Sequence, residues 1–219
     1  MSLQHRKSFK ILAVAGGLLL ACLLLVLINT VNLGFDEVRE TGLDADFITT
    51  SDEIADEMLR LAEVNENDVV YDLGCGDGRI VVAAVRDFGA KGVGIDLNPV
   101  RIAESINNAR AAGVEDRTRF EVGNFFEVDF SDATVVMLYL PARLNLQLRP
   151  IIWKQLKVGS RVVSNDSTMG PDWPPEKTSA ARASDASFNP IYMWTITEEQ
   201  KKAVEGMKTP TSAVNNSGI

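Results

Sequence analysis

The clearest structural signal in this sequence is Val69-Val70-Tyr71-Asp72-Leu73-Gly74-Cys75-Gly76-Asp77-Gly78-Arg79-Ile80, whose residue pattern changes twice within a few positions. The run from Val69 to Leu73 predicts a buried strand, because only Asp72 interrupts its apolar residues. Three glycines then remove Cβ atoms, which permits positive φ and lets a ligand approach the backbone closely. A helical pattern from Ile80 to Phe88 follows, so the loop presents a helix N-terminus to its ligand. The stretch therefore predicts a strand, a glycine loop and a helix that hold a small polar molecule.

The glycine loop differs from a dinucleotide-binding loop. A dinucleotide fingerprint has Gly or Ala where this chain has Arg79, whose long side chain would obstruct close helix packing. The next predicted strand, Gly92–Asp96, ends in an acid that can accept hydrogen bonds from the hydroxyls of a ribose. Asp72 would repel a pyrophosphate but attract a ligand that carries an ammonium and a sulfonium. These features favour S-adenosylmethionine as the ligand.

Four motifs follow one another between about residue 51 and residue 164. They are Asp72-Leu73-Gly74-Cys75-Gly76-Asp77-Gly78, Gly94-Ile95-Asp96-Leu97-Asn98, Gly123-Asn124-Phe125-Phe126 and the run from Asp132 to Leu140. In this combination the chain resembles the class I S-adenosylmethionine-dependent methyltransferases. The resemblance implies a Rossmann-like α/β fold with a mainly parallel sheet, and S-adenosyl-L-methionine as the cofactor.

A narrower resemblance rests on five shorter segments. They are Gly76-Asp77-Gly78-Arg79-Ile80-Val81, Asp96-Leu97-Asn98-Pro99, Leu138-Tyr139-Leu140-Pro141, Gly159-Ser160-Arg161-Val162-Val163-Ser164 and Trp173-Pro174-Pro175. These look like the membrane-anchored protein-lysine methyltransferases of mitochondria and their bacterial relatives. The resemblance implies an enzyme, tethered to a membrane, that methylates a lysine side chain of a protein. Two alternatives stay open: a methyltransferase acting on a membrane-soluble small molecule such as a quinone or lipid, and a cofactor-binding protein without catalysis.

The broader resemblance also assigns roles to individual residues. The expected cofactor-binding residues are Asp72, Gly74, Cys75, Gly76, Gly78, Asp96, Asn98, Asn124 and Phe125. Asp72 would lie near the methionine ammonium and Asp96 near the ribose hydroxyls, whereas Asn98 could equally serve only as a helix cap. The amide oxygen of Asn124 would accept from the adenine amino group, where the family often has an acid. Phe125 would cover the adenine face, and Phe126 is expected in the core.

Catalysis of methyl transfer depends mainly on alignment of the acceptor, and no metal is expected. Tyr139 or Asp166 would orient a lysine nucleophile, with a purely structural role open for each. The only histidine is His5, in the leading tail, which excludes His-based acid/base catalysis and a His-rich metal site from the folded domain. Trp173 could line a substrate channel or close the edge of the sheet.

The formal net charge of −8 argues against a nucleic-acid partner. No basic run outside the N-terminus could supply a patch that holds phosphates. A cationic partner, such as a lysine-rich protein segment, fits this charge better. The two cysteines, Cys22 and Cys75, lie in an apolar run and in the glycine loop, so no disulfide is expected between them.

An apolar run near the N-terminus predicts a single membrane-spanning helix. The 18 residues from Ile11 to Ile28 carry no charge and nearly suffice to span a hydrocarbon core of roughly 30 Å. Basic residues precede the run and acidic residues follow it, which places the N-terminus in the cytoplasm and the domain across the membrane. Because that conflicts with a cytosolic cofactor supply, three alternatives stay open: a weak topology signal, an organelle lumen, or a signal sequence. Leu19-Leu20-Ala21-Cys22 resembles a lipoprotein processing site.

The predicted organisation of the chain is a basic tail (1–10), a transmembrane helix (11–31), a linker (32–49), a methyltransferase domain (50–198) and a disordered tail (199–219). Five predicted strands alternate with helices in the domain, which favours a doubly wound, mainly parallel sheet with right-handed crossovers and a short final hairpin. Thr50 and Glu53 are expected to cap the first helix. Ile102, Ile106 and Ala109 are expected on the buried face of the helix after Asn98-Pro99. A kink or break is expected at Pro150.

Overall fold

The computed structural model describes residues 50–182 and 188–206. The predicted basic tail, transmembrane helix and linker, together with residues 207–219, lie outside the described residues. Within the described ranges, no helix is both long enough and apolar enough to cross a membrane.

The described residues form one seven-stranded sheet with helices on both of its faces. The strands are β1 (Val69–Leu73), β2 (Lys91–Asp96), β3 (Thr118–Val122), β4 (Val135–Leu138), β5 (Arg161–Asn165), β6 (Lys177–Arg182) and β7 (Phe188–Thr195). The helices are α1 (Asp52–Leu61), α2 (Arg79–Phe88), α3 (Pro99–Ala111), α4 (Ala142–Gln155) and α5 (Glu198–Gly206), with a 3-10 turn at Glu115–Arg117.

The strand order places a ligand crevice at the centre of the sheet. The order is β3-β2-β1-β4-β5-β7-β6; the first five strands in that order run parallel, and β7 is antiparallel to both of its neighbours. Connections from β1 and β4 leave in opposite directions, so the carboxyl ends of these two strands border the switch point where open α/β sheets bind ligands. The predicted mainly parallel, Rossmann-like fold is confirmed.

The two faces of the sheet carry different helices. Val163 of β5 packs in the core cluster that contains the apolar residues of α1 and the inner face of α2, and α3 packs beside α2. The next residue, Ser164, accepts a hydrogen bond at 3.0 Å from Asn145 of α4. Because successive strand residues point to opposite faces, α4 covers the face opposite to α1. The fold is therefore doubly wound, as the alternation of strands and helices predicts.

Helix ends follow the capping signals with one shift in position. Asn98 caps α3 by accepting from the backbone N–H of Val100 at 2.9 Å, and Pro99 takes the first helical position, as predicted. The expected cap of α1 at Thr50 is wrong by one residue, because the side chain of Ser51 accepts from the N–H of Ile54. Thr50 instead gives its carbonyl to Arg79, at 2.6 Å.

The buried face of α3 also differs from the prediction. Ile102 and Ala109 are buried, but Ile106 is 39% exposed. Ser105 takes the inward position instead, and its side chain is fully buried. A polar residue occupies this position because its hydroxyl donates to Gly76 O, at 2.9 Å, in the glycine loop. The helical period alone does not reveal such a tertiary contact.

The C-terminal end of the domain is more ordered than the sequence pattern suggests. The final hairpin of β6 and β7 pairs over six residues, as expected. The predicted disordered tail from 199 is wrong in its first part, since α5 occupies Glu198–Gly206. Thr197 and Gln200 form a capping box, in which Gln200 accepts from the Thr197 N–H at 3.0 Å. This Thr-x-x-Gln pattern is the signal that sequence reasoning overlooked.

Lys201 fixes α5 to the end of α4. Its ammonium donates to the carbonyls of Trp153, Lys154 and Leu156, at 2.8 to 2.9 Å. These carbonyls have no intrahelical partner at a helix C-terminus, where the helix dipole also favours a cation. One side chain therefore completes the cap of α4 and holds the last described helix.

Trp173 belongs to the core, which decides between its two predicted roles. Its ring centroid lies 5.5 Å from that of Trp153 and 5.7 Å from that of Trp194, and the side chain is buried. The indole N–H of Trp194 donates to the backbone carbonyl of Trp173 at 2.8 Å. Helix α4 runs without a break through Pro150, so the expected break is absent from this helix.

A buried ion pair joins the start of β1 to the start of β5. Arg161 donates to a carboxylate oxygen of Asp68, whose side chain is only 5% exposed. The same carboxylate accepts from the Thr134 hydroxyl at 2.7 Å and from the Asn65 N–H at 2.9 Å. Arg161 also donates to the carbonyl of Ala62 at 2.5 Å. This cluster ties three segments together at the amino edge of the sheet, away from the ligand crevice.

We expect the substitution Arg161→Met to lower the free energy of unfolding by about 3–5 kcal/mol, because it leaves the Asp68 carboxylate buried without its cation. Urea unfolding of both proteins measures the change. The matched control is Arg60→Met, which breaks the exposed pair of Arg60 with Asp56 and should cost less than about 1 kcal/mol. Equal effects of the two substitutions would contradict the structural role given to Arg161.

Candidate active site

The glycine loop turns sharply at the carboxyl end of β1. Gly74, Gly76 and Gly78 have φ values of +92°, +55° and +77°, a region that side-chain-bearing residues rarely adopt. The N–H groups of Gly74 and Cys75 both donate to the carbonyl of Ile95, at 2.8 and 3.0 Å. The loop is thereby anchored to the end of β2, as the sequence pattern predicts.

Asp96 connects the loop to the start of α3. One carboxylate oxygen accepts from the Gly76 N–H and the other from the Asn98 N–H, both at 2.8 Å. A carboxylate has about four acceptor positions, so its oxygens can accept from a diol as well as from these two N–H groups. Asp96 thus shapes the glycine loop and can also hold ribose hydroxyls.

Close packing beneath the loop explains why glycine is required at two positions, one in the loop and one in the strand below it. A Cβ on Gly78 would lie 2.7 Å from Ser105 Cβ and 2.8 Å from a ring carbon of Phe120. A Cβ on Gly94 would lie 2.6 Å from Phe120 and 2.8 Å from Cys75 Sγ. Both positions therefore exclude any side chain, and the loop sits directly on β2 and α3.

Arg79 has a role that the sequence comparison with dinucleotide loops did not anticipate. Its guanidinium donates to both carboxylate oxygens of Asp77, at 3.0 and 2.5 Å, and to the carbonyl of Thr50. Burial alone raises the pKa of Asp77, but the hydrogen bonds and charge of Arg79 outweigh it and lower that pKa overall. The arginine therefore fastens the glycine loop to the residue before α1.

Helix α3 supplies two loop contacts that sequence reasoning missed. The Ser105 hydroxyl donates to the carbonyl of Gly76 at 2.9 Å, with the Arg101 carbonyl at the same distance. The side-chain amide of Asn108 donates to the carbonyl of Asp77, also at 2.9 Å. Since Gly76 also donates its N–H to Asp96, the peptide groups around Gly76 are held from both sides.

We expect Ser105→Ala to raise the KM for S-adenosylmethionine about 3- to 10-fold, with a smaller change in kcat, because the loop loses one hydrogen bond that holds its shape. Steady-state kinetics at varied cofactor concentration measure the two constants. Asn107→Ala, on the exposed side of α3, serves as the control and should leave both constants unchanged. An unchanged KM in Ser105→Ala would show that the loop keeps its shape without this contact.

Asp72 is a buried acid at the floor of the crevice. It is 3% exposed, and burial, together with the negative charges of Asp96 and Asp77, raises its pKa from 3.8 to about 8. Burial and the negative charges of Asp72 and Asp96 also raise the pKa of the Cys75 thiol, so this cysteine is not a reactive thiolate. The region carries an excess of negative charge that a cationic ligand would relieve.

These observations fit the chemistry of S-adenosylmethionine. The glycine loop provides a backbone cradle that any Cβ at Gly78 would disturb. Asp72 provides a buried carboxyl group suited to the cofactor ammonium, and Asp96 provides acceptors for its ribose. The residues expected to hold the cofactor at β1 and β2 are therefore gathered at one edge of the sheet.

The predicted adenine-binding residues follow β3. The Asn124 amide oxygen accepts from the Phe126 N–H at 3.1 Å, and its amide nitrogen donates to Glu127. The rings of Phe125 and Phe126 lie 4.8 Å apart, but their burial is the reverse of the expectation: Phe125 is buried and Phe126 is partly exposed. Asn124 thus has local partners, and contacts of these residues with adenine stay a prediction.

The two residues expected to orient the acceptor lie at the ends of β4 and β5. Tyr139 is partly exposed and directly follows Leu138, the last residue of β4. Asp166 is exposed, has a φ of +65°, and donates its N–H to the carbonyl of Pro190 at 2.8 Å. Because β4 and β5 are parallel neighbours, both residues border the same edge as the glycine loop. Their roles in orientation stay a prediction.

Sequence comparisons identify methyltransferases as relatives. Residues 72–177 match the ANTKMT methyltransferase domain. A protein-lysine N-methyltransferase of Saccharolobus islandicus (strain REY15A) is 40% identical over 156 residues, which cover 70% of this chain and 95% of that protein. An ATP synthase lysine N-methyltransferase of Xenopus laevis is 34% identical over 108 residues, 49% of this chain and 47% of that protein. The chain thus spans about half the length of this Xenopus relative.

Structural comparison gives the same fold. The crystal structure of an RNA methyltransferase from Salinibacter ruber, in complex with S-adenosyl-L-homocysteine, has a TM-score of 0.64 and 46% sequence identity. The match covers 69% of this chain and 95% of that one. Geranyl diphosphate C-methyltransferase from Streptomyces coelicolor A3(2) shares the fold at 18% identity, with a TM-score of 0.54 over 65% of this chain and 77% of that one.

Proposed function

Because this chain belongs to the class I S-adenosylmethionine-dependent methyltransferases, we propose that it methylates the side chain of a lysine in a protein substrate. The observation that carries this proposal is the 40% identity to a protein-lysine N-methyltransferase over nearly the whole of that relative. The match to the ANTKMT methyltransferase domain supports the same acceptor class.

The acidity of the site supports a cationic acceptor. Four carboxyl groups lie at or near the carboxyl edge of the sheet, namely those of Asp72, Asp77, Asp96 and Asp166. The ion pair of Asp77 with Arg79 offsets one of these charges. An acidic rim raises the local concentration of lysine-bearing segments, and the net charge of −8 acts in the same direction.

The residues of the chain would hold and align the two reactants. When bound, S-adenosylmethionine supplies a methyl group on a sulfonium: the amine lone pair forms a bond to the methyl carbon, the carbon–sulfur bond breaks with its electrons retained by sulfur, and the nitrogen then releases a proton to solvent. Gly74, Gly76 and Asp96 would hold the donor. Tyr139 and Asp166 would orient the acceptor.

The membrane location is part of the proposal. The uncharged run from Ile11 to Ile28 is the supporting observation, and it lies outside the described residues. A tether of this kind would confine the enzyme to acceptors near a bilayer. Deleting residues 1–31 should release the protein from the membrane fraction in a sedimentation assay, and retention of the truncated protein would argue against the tether.

RNA is a second candidate acceptor because the solved structure at 46% identity is that of an RNA methyltransferase. The electrostatics of this chain disfavour it. Binding of phosphates requires clustered Lys and Arg residues, whereas the edge of the sheet around the glycine loop is acidic. We therefore place protein lysine first and test RNA directly.

A labelling experiment distinguishes the acceptor classes. The full-length protein is incubated with S-adenosylmethionine carrying a radioactive methyl group and with total lysate from cells that lack the gene. Label is then measured separately in protein, RNA and organic extract. Asp96→Ala provides the inactive control. We expect label in discrete protein bands, absent from the control, and mass spectrometry should place the methyl groups on lysine.

The other outcomes identify other enzymes. Label confined to RNA would replace the lysine proposal by RNA methylation. Label confined to the organic extract would identify a membrane-soluble small molecule, such as a quinone or lipid, as the acceptor. Binding of the cofactor without label in any fraction would favour a cofactor-binding protein without catalysis.

A further inference from the structure

Asn165, the last residue of β5, carries the least satisfied polar side chain in the described part of the protein. Its relative exposure is 0%, and neither its amide oxygen nor its amide nitrogen has a hydrogen-bond partner there. Buried amides are normally hydrogen-bonded, since desolvation without a partner is unfavourable. A side chain with two such atoms therefore requires an explanation beyond folding.

The position of Asn165 relates it to the cofactor crevice. Val163 of β5 lies in register with Met137 of β4, which in turn lies in register with Asp72 of β1. In-register residues of a parallel sheet point to the same face, and so do residues two positions apart. Asn165 and Asp72 therefore share one face of the sheet. Neighbouring strands are about 4.8 Å apart, so the two strands are separated by roughly 10 Å, with β4 between them.

The backbone directly after Asn165 is unusual as well. Asp166 has a φ of +65°, and its N–H donates to Pro190 O of β7. Non-glycine residues in this region are uncommon and concentrate at functional sites. The contact with β7 fixes the end of β5, and hence the place of the Asn165 side chain, at the carboxyl edge.

We propose that Asn165 receives the acceptor amine: its amide oxygen accepts a hydrogen bond from an amine N–H and directs the nitrogen lone pair toward the donor methyl group beyond Tyr139. This inference rests on the proposed lysine acceptor. An amide oxygen binds a neutral amine without the charge that would stabilise the unreactive ammonium form, and burial also disfavours that form. Because Asn165 is closed to solvent, the amine reaches it only when the side chains above it move, which favours a slender alkylamine over a bulky acceptor.

Asn145 provides a matched comparison from the opposite face of the sheet. Its amide oxygen is also buried without a partner, but its amide nitrogen donates to the Ser164 hydroxyl at 3.0 Å and to the Ser167 carbonyl at 3.3 Å. These contacts join α4 to the end of β5. Asn145 therefore has a structural role, which the orphan amide of Asn165 lacks.

The test compares Asn165→Leu with Asn145→Leu and wild type in the full-length protein. The acceptor is a synthetic peptide that contains the lysine labelled in the experiment above. Steady-state kinetics give kcat and the KM for each reactant, calorimetry gives the Kd for S-adenosylmethionine, and thermal unfolding gives Tm. Asn165→Gln keeps the amide and serves as the conservative variant.

We expect Asn165→Leu to lower kcat/KM for the peptide by about 10- to 100-fold, with an unchanged cofactor Kd. Its Tm should equal or exceed that of wild type, because an apolar side chain replaces an unpaired amide. Asn165→Gln should recover part of the lost activity, and Asn145→Leu should lower Tm. Wild-type kcat/KM in Asn165→Leu, or a large loss of Tm in that variant, would overturn the inference. Absence of lysine methylation by the wild-type protein would instead refute the proposed function, and the inference with it.

Discussion

Asp96→Ala is expected to weaken S-adenosylmethionine binding by at least about 100-fold, since hydrogen bonds to a charged group contribute roughly 1.5–3 kcal/mol each. The substitution removes the acceptors for the N–H groups of Gly76 and Asn98, each at 2.8 Å. It also removes the carboxylate expected to hold the ribose. Isothermal titration calorimetry with the purified protein measures the Kd directly.

Two further variants separate the functions of Asp96. Asp96→Asn keeps one acceptor oxygen and should give an intermediate Kd. Asp116→Ala removes an exposed acid from the 3-10 turn and should bind the cofactor as wild type does. Wild-type affinity in Asp96→Ala would mean that the glycine loop does not hold the cofactor.

Cofactor affinity is expected to increase with pH up to about 8 and then to level off, because of Asp72. Its pKa of about 8 means that the free protein holds this proton at neutral pH. A bound ammonium favours the ionised carboxylate, so binding releases the proton and is opposed at low pH. Below pH 8 the Kd should rise by up to about tenfold for each unit that the pH falls. Titration calorimetry in buffers of different ionisation enthalpy measures the released proton.

Asp72→Asn should remove this pH dependence and raise the Kd by about 10- to 100-fold at pH 9, where the wild-type carboxylate is ionised. The same variant should change stability in the opposite direction. The folded pKa lies above the ordinary value of 3.8, so the wild-type protein loses stability from this group as pH rises from about 4 to about 8. The Tm advantage of Asp72→Asn over wild type should therefore be small at pH 5 and largest above pH 8. An equal difference at both pH values would contradict the raised pKa.

Local patterns predicted most of the framework correctly. The apolar strand with its three glycines, and the Asn98-Pro99 helix start, depend on backbone preferences that act over a few residues. The mainly parallel sheet followed from the alternation of such elements. These features could be derived because the physical causes lie close together in the chain.

Contacts between distant residues account for most of what the sequence did not reveal. Ser105 is buried because a carbonyl of Gly76, 29 positions earlier, needs a donor. Arg161 and Asp68 pair across 93 positions. The orphan amide of Asn165 is recognisable only once the partners of every neighbouring group are known. A hydrophobic period predicts which face of a helix is buried, but it carries no information on which polar group lies opposite.

The three hydrogen bonds of Lys201 have a consequence for an enzyme proposed to modify lysine. An ammonium whose three N–H bonds all point at backbone carbonyls is held in its charged form and cannot offer a lone pair to an electrophile. Lys201 should therefore escape self-methylation, whereas the adjacent Lys202 is exposed and can react. The enzyme's own C-terminal helix thus contains a protected lysine beside an accessible one, an internal standard for automethylation mapped by mass spectrometry.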